Sequence, residues 1–371
     1  MRTPSRLAAA AAGVLAVATL TTAEAPTTGD IYQGYPVLDL SSPLDLSSVP
    51  ANTISRYYIN AATGQGNIPY YLPVLIARGS NSSLDSGKKL SLSSSIHGDE
   101  LNGIPVVHRV FSYLNSSGVV ASGDFNGTVI GLPQQNPNGN FHNARQLWSP
   151  GNSGTYVNLN RILPGIDPFG ESAAEEVPSI TDAHVGSVWY GLWGNTSNVD
   201  VAVDLHTLSS GANGPIWAYA DYRAEYVQRL AELAQPDIIK IDPGEPGSVE
   251  TTFVDYGIPA ITLEIGPAKR WNNDLIDRAE EFVYRLMADL SILPNSTAPE
   301  IDLSETYKGT NFSSVVVSQT GWVNMTVSVL DDVEEGQQLA VVYDWFGDEV
   351  ESVTAPVRGG FCRHRWIPPW K

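Results

Sequence analysis

Short apolar runs of strand length alternate with stretches of helical periodicity through most of this chain, and that alternation leaves few folds open. Tyr70–Ala77 (YYLPVLIA) and Lys89–Ile96 (KLSLSSSI) read as strands, with Gly79–Gly87 as the turn between them. From Leu101 the period changes, with Leu101, Ile104, Val107, Val110/Phe111 and Leu114 recurring at helical spacing. Thr128–Leu132 is a short strand, Ile180–Trp193 a helix and Val199–Leu205 (VDVAVDL) a buried strand. Tyr222–Gln235 and Asn272–Leu293 are amphipathic helices, the second with Leu275, Ala279, Phe282, Leu286 and Leu290 on one face. Pro259–Ile265 (PAITLEI) between them is another buried strand. This order predicts an α/β layer architecture around a mainly parallel or mixed sheet flanked by helices.

The two ends of the chain read differently. Residues 26–60, rich in Ser, Pro and Thr, read as an ordered loop leading into the first strand. After Pro294 the helical periodicity stops. Ser314–Val317, Val323–Val329 and Gln338–Val342 are Val-rich strands broken by Gly309, Gly321, Gly336 and Gly347, which predicts a small separate β domain over 300–358. The catalytic part of the chain is therefore expected within 26–295.

At the start, Arg2 and Arg6 precede an apolar and small-residue run, Leu7–Leu20, and then Ala23-Glu24-Ala25. Residues 1–25 thus read as a cleaved export signal, too short and Ala-rich to span a bilayer. Sequons begin at Asn81, Asn115, Asn126, Asn195, Asn295, Asn311 and Asn324, so N-linked glycans and a secreted, extracellular protein are expected. No later run is long and apolar enough for a membrane span. With 21 Lys+Arg against 40 Asp+Glu the net charge is −19, which argues against nucleic acid or an anionic membrane as partner. The one cysteine, Cys362, has no internal partner and falls in an atypical tail over 359–371, ending FCRHRWIPPWK. That tail reads as an alternative splice product or a mispredicted coding end.

Four segments carry chemistry. In Ser95-Ile96-His97-Gly98-Asp99-Glu100 a strand ends and an imidazole and a carboxylate follow at a spacing that lets both turn to one point, half of a catalytic metal site. The same residues could instead form a polar loop with Glu100 in the first helical turn, where the dipole favours it. In Val201–Thr207 (VAVDLHT) a buried strand delivers His206 at its C-terminal end, and Asp204 shares its strand face as an acceptor that could orient an imidazole. A lone strand-end histidine can also be structural. Glu264, in Thr262–Gly266 (TLEIG), is costly to bury unless paired, and fits a general base beside an activated water, or else an edge residue facing solvent. Asn136-Pro137-Asn138-Gly139, Arg145 and Asn158-Leu159-Asn160-Arg161 add planar cationic and neutral donors suited to a carboxylate or an oxyanion.

Taken in order, HGDE at 97–100, the NPNG–Arg145–NLNR run at 136–161, DLHT at 204–207 and LEIG at 263–266 resemble the succinylglutamate desuccinylase/aspartoacylase family, zinc hydrolases with a carboxypeptidase-like fold. The resemblance spans roughly 68–358. It implies one Zn2+ per chain on His97, Glu100 and His206, with Glu264 as base and proton shuttle. It also implies Arg145 at the developing oxyanion, and Asn160 with Arg161 on the substrate carboxylate. VEEG at 333–336, VYDWFG at 342–347 and APVRG at 355–359 resemble the lipoyl-like C-terminal β domain of this family. The sequence departs from the family where Asn158 replaces the aspartate that opens the DLNR-type motif, and where WSPGNSGT at 148–155 lengthens the interval between the two arginines.

The function expected is a secreted zinc-dependent hydrolase of an amide bond beside a carboxylate, acting on small anionic N-acyl amino acids. A secreted metallocarboxypeptidase acting on peptide C-termini would use the same chemistry in an open groove. A non-catalytic secreted binding protein that keeps the fold is the alternative of a different class. The acyl group and the oligomeric state are not legible in the sequence.

Overall fold

A computed structural model describes residues 24–150, 154–170, 178–294 and 296–361, together with the backbone of 364 and 365. Nearly all of the expected export signal, the sequon at Asn295, Cys362 and most of the tail lie outside the described residues.

The chain is built on one mixed sheet of 11 strands. Numbered in chain order they are β1 (Thr27–Tyr32), β2 (Tyr35–Leu38), β3 (Thr53–Thr63), β4 (Pro69–Arg78), β5 (Lys88–Ser94) and β6 (Gly127–Leu132). Then come β7 (Val201–Leu208), β8 (Ile216–Ala220), β9 (Ile238–Ile241), β10 (Ala260–Pro267) and β11 (Tyr307–Gly309). The spatial order is β1-β2-β3-β4-β6-β5-β7-β10-β8-β9-β11. At its centre β6, β5, β7 and β10 run parallel, so their C-terminal ends share one edge. Their central residues are buried on both faces, as a parallel sheet covered by helices requires.

Two apolar layers cover the sheet. On one face Leu90, Leu92, Val203, Leu205 and Leu263 pack against the helices Gly103–Ser116, Val227–Leu233 and Asn273–Asp289. On the other, Ile130 and Ala202 meet Ile180–Gly186, the π-helical turn Ser187–Leu192 and the helix Val249–Asp255. Trp189, Trp193 and Phe253 form the heart of this second layer, with ring centroids 4.8 Å apart from Phe253 to each indole. The second face also carries the polar side chains of the central strands. Ser93, Asp204 and Thr262 stand side by side in register, and His206 and Glu264 follow one step on.

Several expectations are corrected. Residues 26–60 are not a loop lead-in: they supply β1, β2 and most of β3. Exposed β1 and the mixed exposure of β3 gave these strands no clean apolar run. The helix expected over Tyr222–Gln235 is confined to Val227–Leu233, because Asp221 binds the Arg223 backbone and guanidinium in a turn and Tyr226 takes a left-handed φ of 69°. Ser314–Val317 forms no strand, and Val315, Val316 and Val317 are exposed.

Separate small sheets follow. Trp322–Met325, Gln338–Tyr343 and Glu349–Thr354 form a three-stranded one, and Asp332–Val333 pairs with Gly359–Gly360. Two stretches of the segment pair elsewhere: β11 with β9 in the large sheet, and the backbone of His364–Arg365 with Ala212–Asn213. Among the described residues no helix is long and apolar enough to cross a membrane.

Phe253 is fully buried between two tryptophans, so Phe253→Ala leaves a cavity the surrounding rings cannot fill. The variant should lose about 3–5 kcal/mol in chemical denaturation. A loss below ~1 kcal/mol would show that this layer repacks freely.

Candidate metal centre

A tight turn assembles the edge that carries the candidate site. After β5 ends at Ser94, Ser95 adopts a φ of 54° and the chain folds back before the helix Gly103–Ser116. Gly98 is required here, since a Cβ on it would stand 2.1 Å from the Gly139 carbonyl carbon. The facing segment clamps the turn. Gly98 N–H donates to the Arg145 carbonyl (3.1 Å), Asn140 Nδ2 to the Gly98 carbonyl and Asn136 Nδ2 to the Ile96 carbonyl. Asn136 also caps Pro137–Phe141 by accepting from Gly139 N–H, which fixes the NPNG bend. Glu100 precedes the helix by three residues, so the helix dipole does not explain it.

His206 enters from β7. Its Nε2 lies 2.6 Å from Asp204 Oδ2, the orientation the sequence anticipated, and Asp204 Oδ1 accepts from Ser93 Oγ (2.7 Å) and Gln135 Nε2 (3.3 Å). His97 is held differently: its Nε2 lies 3.1 Å from Asn158 Oδ1. That oxygen also accepts from Asn160 N–H at 3.0 Å, which fixes it as the acceptor face of the carboxamide. The His97 proton therefore resides on Nε2. Asp204 makes the same assignment for His206. Both rings point Nδ1 inward.

Those two nitrogens are 3.2 Å apart, and the Glu100 carboxylate closes the triangle at 3.0 Å from His97 Nδ1 and 2.8 Å from His206 Nδ1. All three residues are buried, and their ligand atoms lie within 4.8 Å of one another. Roughly 2.0–2.1 Å bonds to a tetrahedral ion would separate ligand atoms by about 3.3 Å. The triangle fits a metal ion. Its electrostatics agree. Burial would raise the Glu100 pKa, yet the two imidazoles hold it well below the carboxylate range. Burial lowers the pKa of His97, whereas for His206 it is outweighed by Asp204 and Glu100, which lift that ring well above its ordinary value.

The other expected residues divide. Arg145 reaches the cluster, pairing with Glu100 Oε1 and donating to Ser209 Oγ at 3.2 Å. Glu264 lies beside His206 in the β7–β10 register, half-buried on the same face. Asn160 is buried and its Oδ1 accepts from Val249 N–H at 2.8 Å, tying the NLNR loop to the start of the helix Val249–Asp255. Arg161 is turned to its neighbours: Nη1 donates to the Asn160 carbonyl (2.6 Å) and Nε lies 3.9 Å from Glu245.

Residues the sequence did not single out complete the site. Ser93 and Gln135 hold Asp204, and Ser209 meets Arg145. The alternation Leu90-Ser91-Leu92-Ser93, buried throughout, was the available signal for a polar inner face. Glu250 is buried in the first turn of Val249–Asp255, its Oε1 without a hydrogen-bond partner among the described residues. Burial, with the charges of Asp242 and Asp204 adding to it, pushes its pKa up to about 8 despite a hydrogen bond with Thr262.

A profile of the succinylglutamate desuccinylase/aspartoacylase catalytic domain matches residues 86–290. No curated protein sequence matches the chain. Among solved structures, the product-bound ectoine utilization protein EutE from Ruegeria pomeroyi is similar with a TM-score of 0.66, at 18% identity over 84% of this chain and 90% of that one. A succinylglutamate desuccinylase from Silicibacter sp. TM1040 gives 0.65, at 17% identity over 86% and 92%. An aspartoacylase family protein from Mesorhizobium loti gives 0.64, at 18% identity over 88% and 91%. At these identities the likeness speaks for the fold.

Two outcomes follow from the geometry. Asn158→Leu removes the acceptor that fixes the His97 tautomer, so metal affinity measured against a competing chelator should fall about 10–100-fold, while Asn158→Asp retains it. Equal affinity in Asn158→Leu would show that His97 needs no such partner. For Glu250, a folded pKa raised to about 8 makes its contribution to stability fully present below pH ~4.5 and progressively lost as pH rises to about 8. Glu250→Gln should therefore gain melting temperature relative to wild type between pH 5 and pH 8. A gap independent of pH would contradict the buried, protonated state.

Proposed function

Because the chain belongs to the succinylglutamate desuccinylase/aspartoacylase family, a family of deacylating hydrolases, we propose that it is a zinc-dependent deacylase of N-acyl amino acids. The observation that carries this reading is the inward triangle of His97 Nδ1, His206 Nδ1 and a Glu100 carboxylate, with Glu264 beside His206. A His2Glu donor set is one of the three-ligand zinc sets that leave a coordination position open. When bound, the ion would supply Lewis-acid polarisation of the scissile carbonyl and a water acidified to roughly pKa 7.

The chain's own residues do the rest. Glu264 takes the proton of the attacking water on a carboxylate oxygen and delivers it to the leaving amine nitrogen as the amide C–N bond breaks. Arg145, poised on Glu100 and Ser209, donates to the oxyanion that develops on the carbonyl oxygen. One preorganised donor of this kind is worth about 3–4 kcal/mol. Arg161 is half-exposed and its contact to Glu245 is long, so an anionic substrate can take that guanidinium at little cost. Asn160 holds the loop that presents it.

The C-terminal segment favours a deacylase over a carboxypeptidase. Glu264 faces Trp217 across the β10–β8 register, and Phe312 from the segment after β11 packs on that indole with centroids 5.0 Å apart. Lys240 Nζ sits 5.2 Å from the Tyr219 ring and 5.9 Å from that of Phe312. The backbone pairing of His364–Arg365 with Ala212–Asn213 brings a second stretch of this segment to the chain that leaves β7. These contacts fit a narrowed mouth rather than an open peptide groove. The small C-terminal sheets would then belong to the lipoyl-like type. The leader and the sequons support export.

Purified protein should hold about one zinc per chain and hydrolyse N-acetyl, N-succinyl or longer N-acyl amino acids in preference to short peptides, with loss of turnover in chelator. Glu264→Gln should lower kcat by at least about 100-fold with zinc content unchanged. Folded protein that binds zinc yet turns over nothing in this panel would favour the binding-protein reading instead.

A further inference from the structure

We propose that the chain carries N-linked oligosaccharides as a belt on one rim of the large sheet, at Asn81, Asn115, Asn126 and Asn195, opposite the metal centre. The proposal goes beyond the hydrolase reading and rests on the export reading alone.

The parallel strands define two rims. Their C-terminal ends hold the chemistry: His97 and Glu100 follow the end of β5, Gln135 and Asn136 follow the end of β6, and His206 lies near the end of β7. The other rim is where β5, β6 and β7 begin and where antiparallel β4 ends, with Arg78 paired to Thr128. Asn81 lies three residues past β4 and Asn126 one residue before β6. Asn115 is in the last turn of Gly103–Ser116, a helix that starts beside the metal turn and runs back to the far rim. Asn195 is in the turn that leads into β7, where Asp200 N–H donates to the Lys89 carbonyl at the start of β5. Strands of this length hold the rims about 20 Å apart.

The side chains suit the modification. All four asparagines are exposed, as are the sequon residues Asn311 and Asn324, whereas Asn102, Asn136, Asn160 and Asn198, outside any sequon, are buried. At Asn81 and Asn195 the carboxamide oxygen is the tethered atom, accepting from Arg78 Nη2 (2.7 Å) and Trp189 Nε1 (3.0 Å). No described residue hydrogen-bonds to either Nδ2, the atom that would bear the sugar. Transfer forms a bond from Nδ2 to the anomeric carbon of a lipid-diphosphate-linked oligosaccharide. The sugar–diphosphate C–O bond breaks, an Nδ2 proton passes to the transferase, and the lipid diphosphate leaves.

The test uses the full chain expressed in a eukaryotic secretory host and collected from the medium. Amidase deglycosylation in heavy-oxygen water, followed by peptide mass mapping, should convert Asn81, Asn115, Asn126 and Asn195 to labelled Asp. Each single Asn→Gln variant should lose one glycan mass. Because the belt lies away from the mouth, Asn115→Gln and Asn195→Gln should keep zinc content and stay within about twofold of wild-type kcat/KM. Exported protein with these peptides unlabelled overturns the proposal while leaving export intact. Protein retained in the cell and unlabelled overturns both. Labelled protein whose single variants fall tenfold or more in kcat/KM overturns the placement away from the catalytic edge. Absence of zinc or turnover in wild type would count against the hydrolase reading only.

Discussion

Two imidazole nitrogens 3.2 Å apart, with a buried carboxylate against both, set the terms for the rest of the structure. With both rings neutral and each proton committed to Nε2, the Nδ1 lone pairs face one another, an arrangement that demands a positive charge between them. A proton on His206, whose pKa is raised, can satisfy it, and so can a metal ion. The surrounding chain spends its rigidity on keeping that arrangement. Gly98 meets Gly139 backbone to backbone, Asp204 is held by Ser93 and Gln135, and Asn158 is held by the turn it caps. Removing any of these frees a ring to rotate away from a geometry that repels without its cation.

The two histidines are anchored by unlike partners. Asp204 presents a full charge to His206, while Asn158 presents only a dipole to His97. The carboxylate partner strengthens the donor on the β7 side, and the carboxamide fixes a tautomer on the other side without adding charge. Asn158 adds no negative charge to the NLNR loop, which carries the cationic Arg161 with exposed Glu245 3.9 Å from its Nε. The loop is tied to the start of the helix Val249–Asp255, which carries buried Glu250, by the bond from Val249 N–H to Asn160 Oδ1.

How much of this was legible depended on whether the signal was local. His97, Glu100 and His206 stood out because each follows or ends an apolar strand, and the parallel register that unites them is what such strands form. Asp204 was legible for the same reason, two residues from His206 on one face. Asn158 was visible only as a departure from a motif, since its contact to His97 crosses 61 positions of sequence. Glu250 gave no signal at all: an acidic residue in a first helical turn looks like an ordinary dipole partner until the packing buries it. The strands β1 to β3 were missed because β1 is an exposed edge strand and β3 mixes buried with exposed positions, so pairing rather than an apolar run defines them.

Cysteine is absent from 26–360, so no disulfide can tie the described chain together. Stability must come from the two apolar layers, and their distribution explains where the chemistry sits. The layer of Gly103–Ser116 and Asn273–Asp289 is largely aliphatic, with Phe111 and Phe282 among its buried residues, and is continuous beneath β5, β7 and β10. The opposite layer is interrupted, because Ser93, Asp204, Thr262, His206 and Glu264 all project into it. Aromatic bulk compensates there: Trp189 and Trp193 pack against each other and against Phe253 of the helix Val249–Asp255. Large rings bury more apolar surface per residue than aliphatic side chains. A face that must leave room for charged chemistry can therefore remain cohesive with few apolar positions.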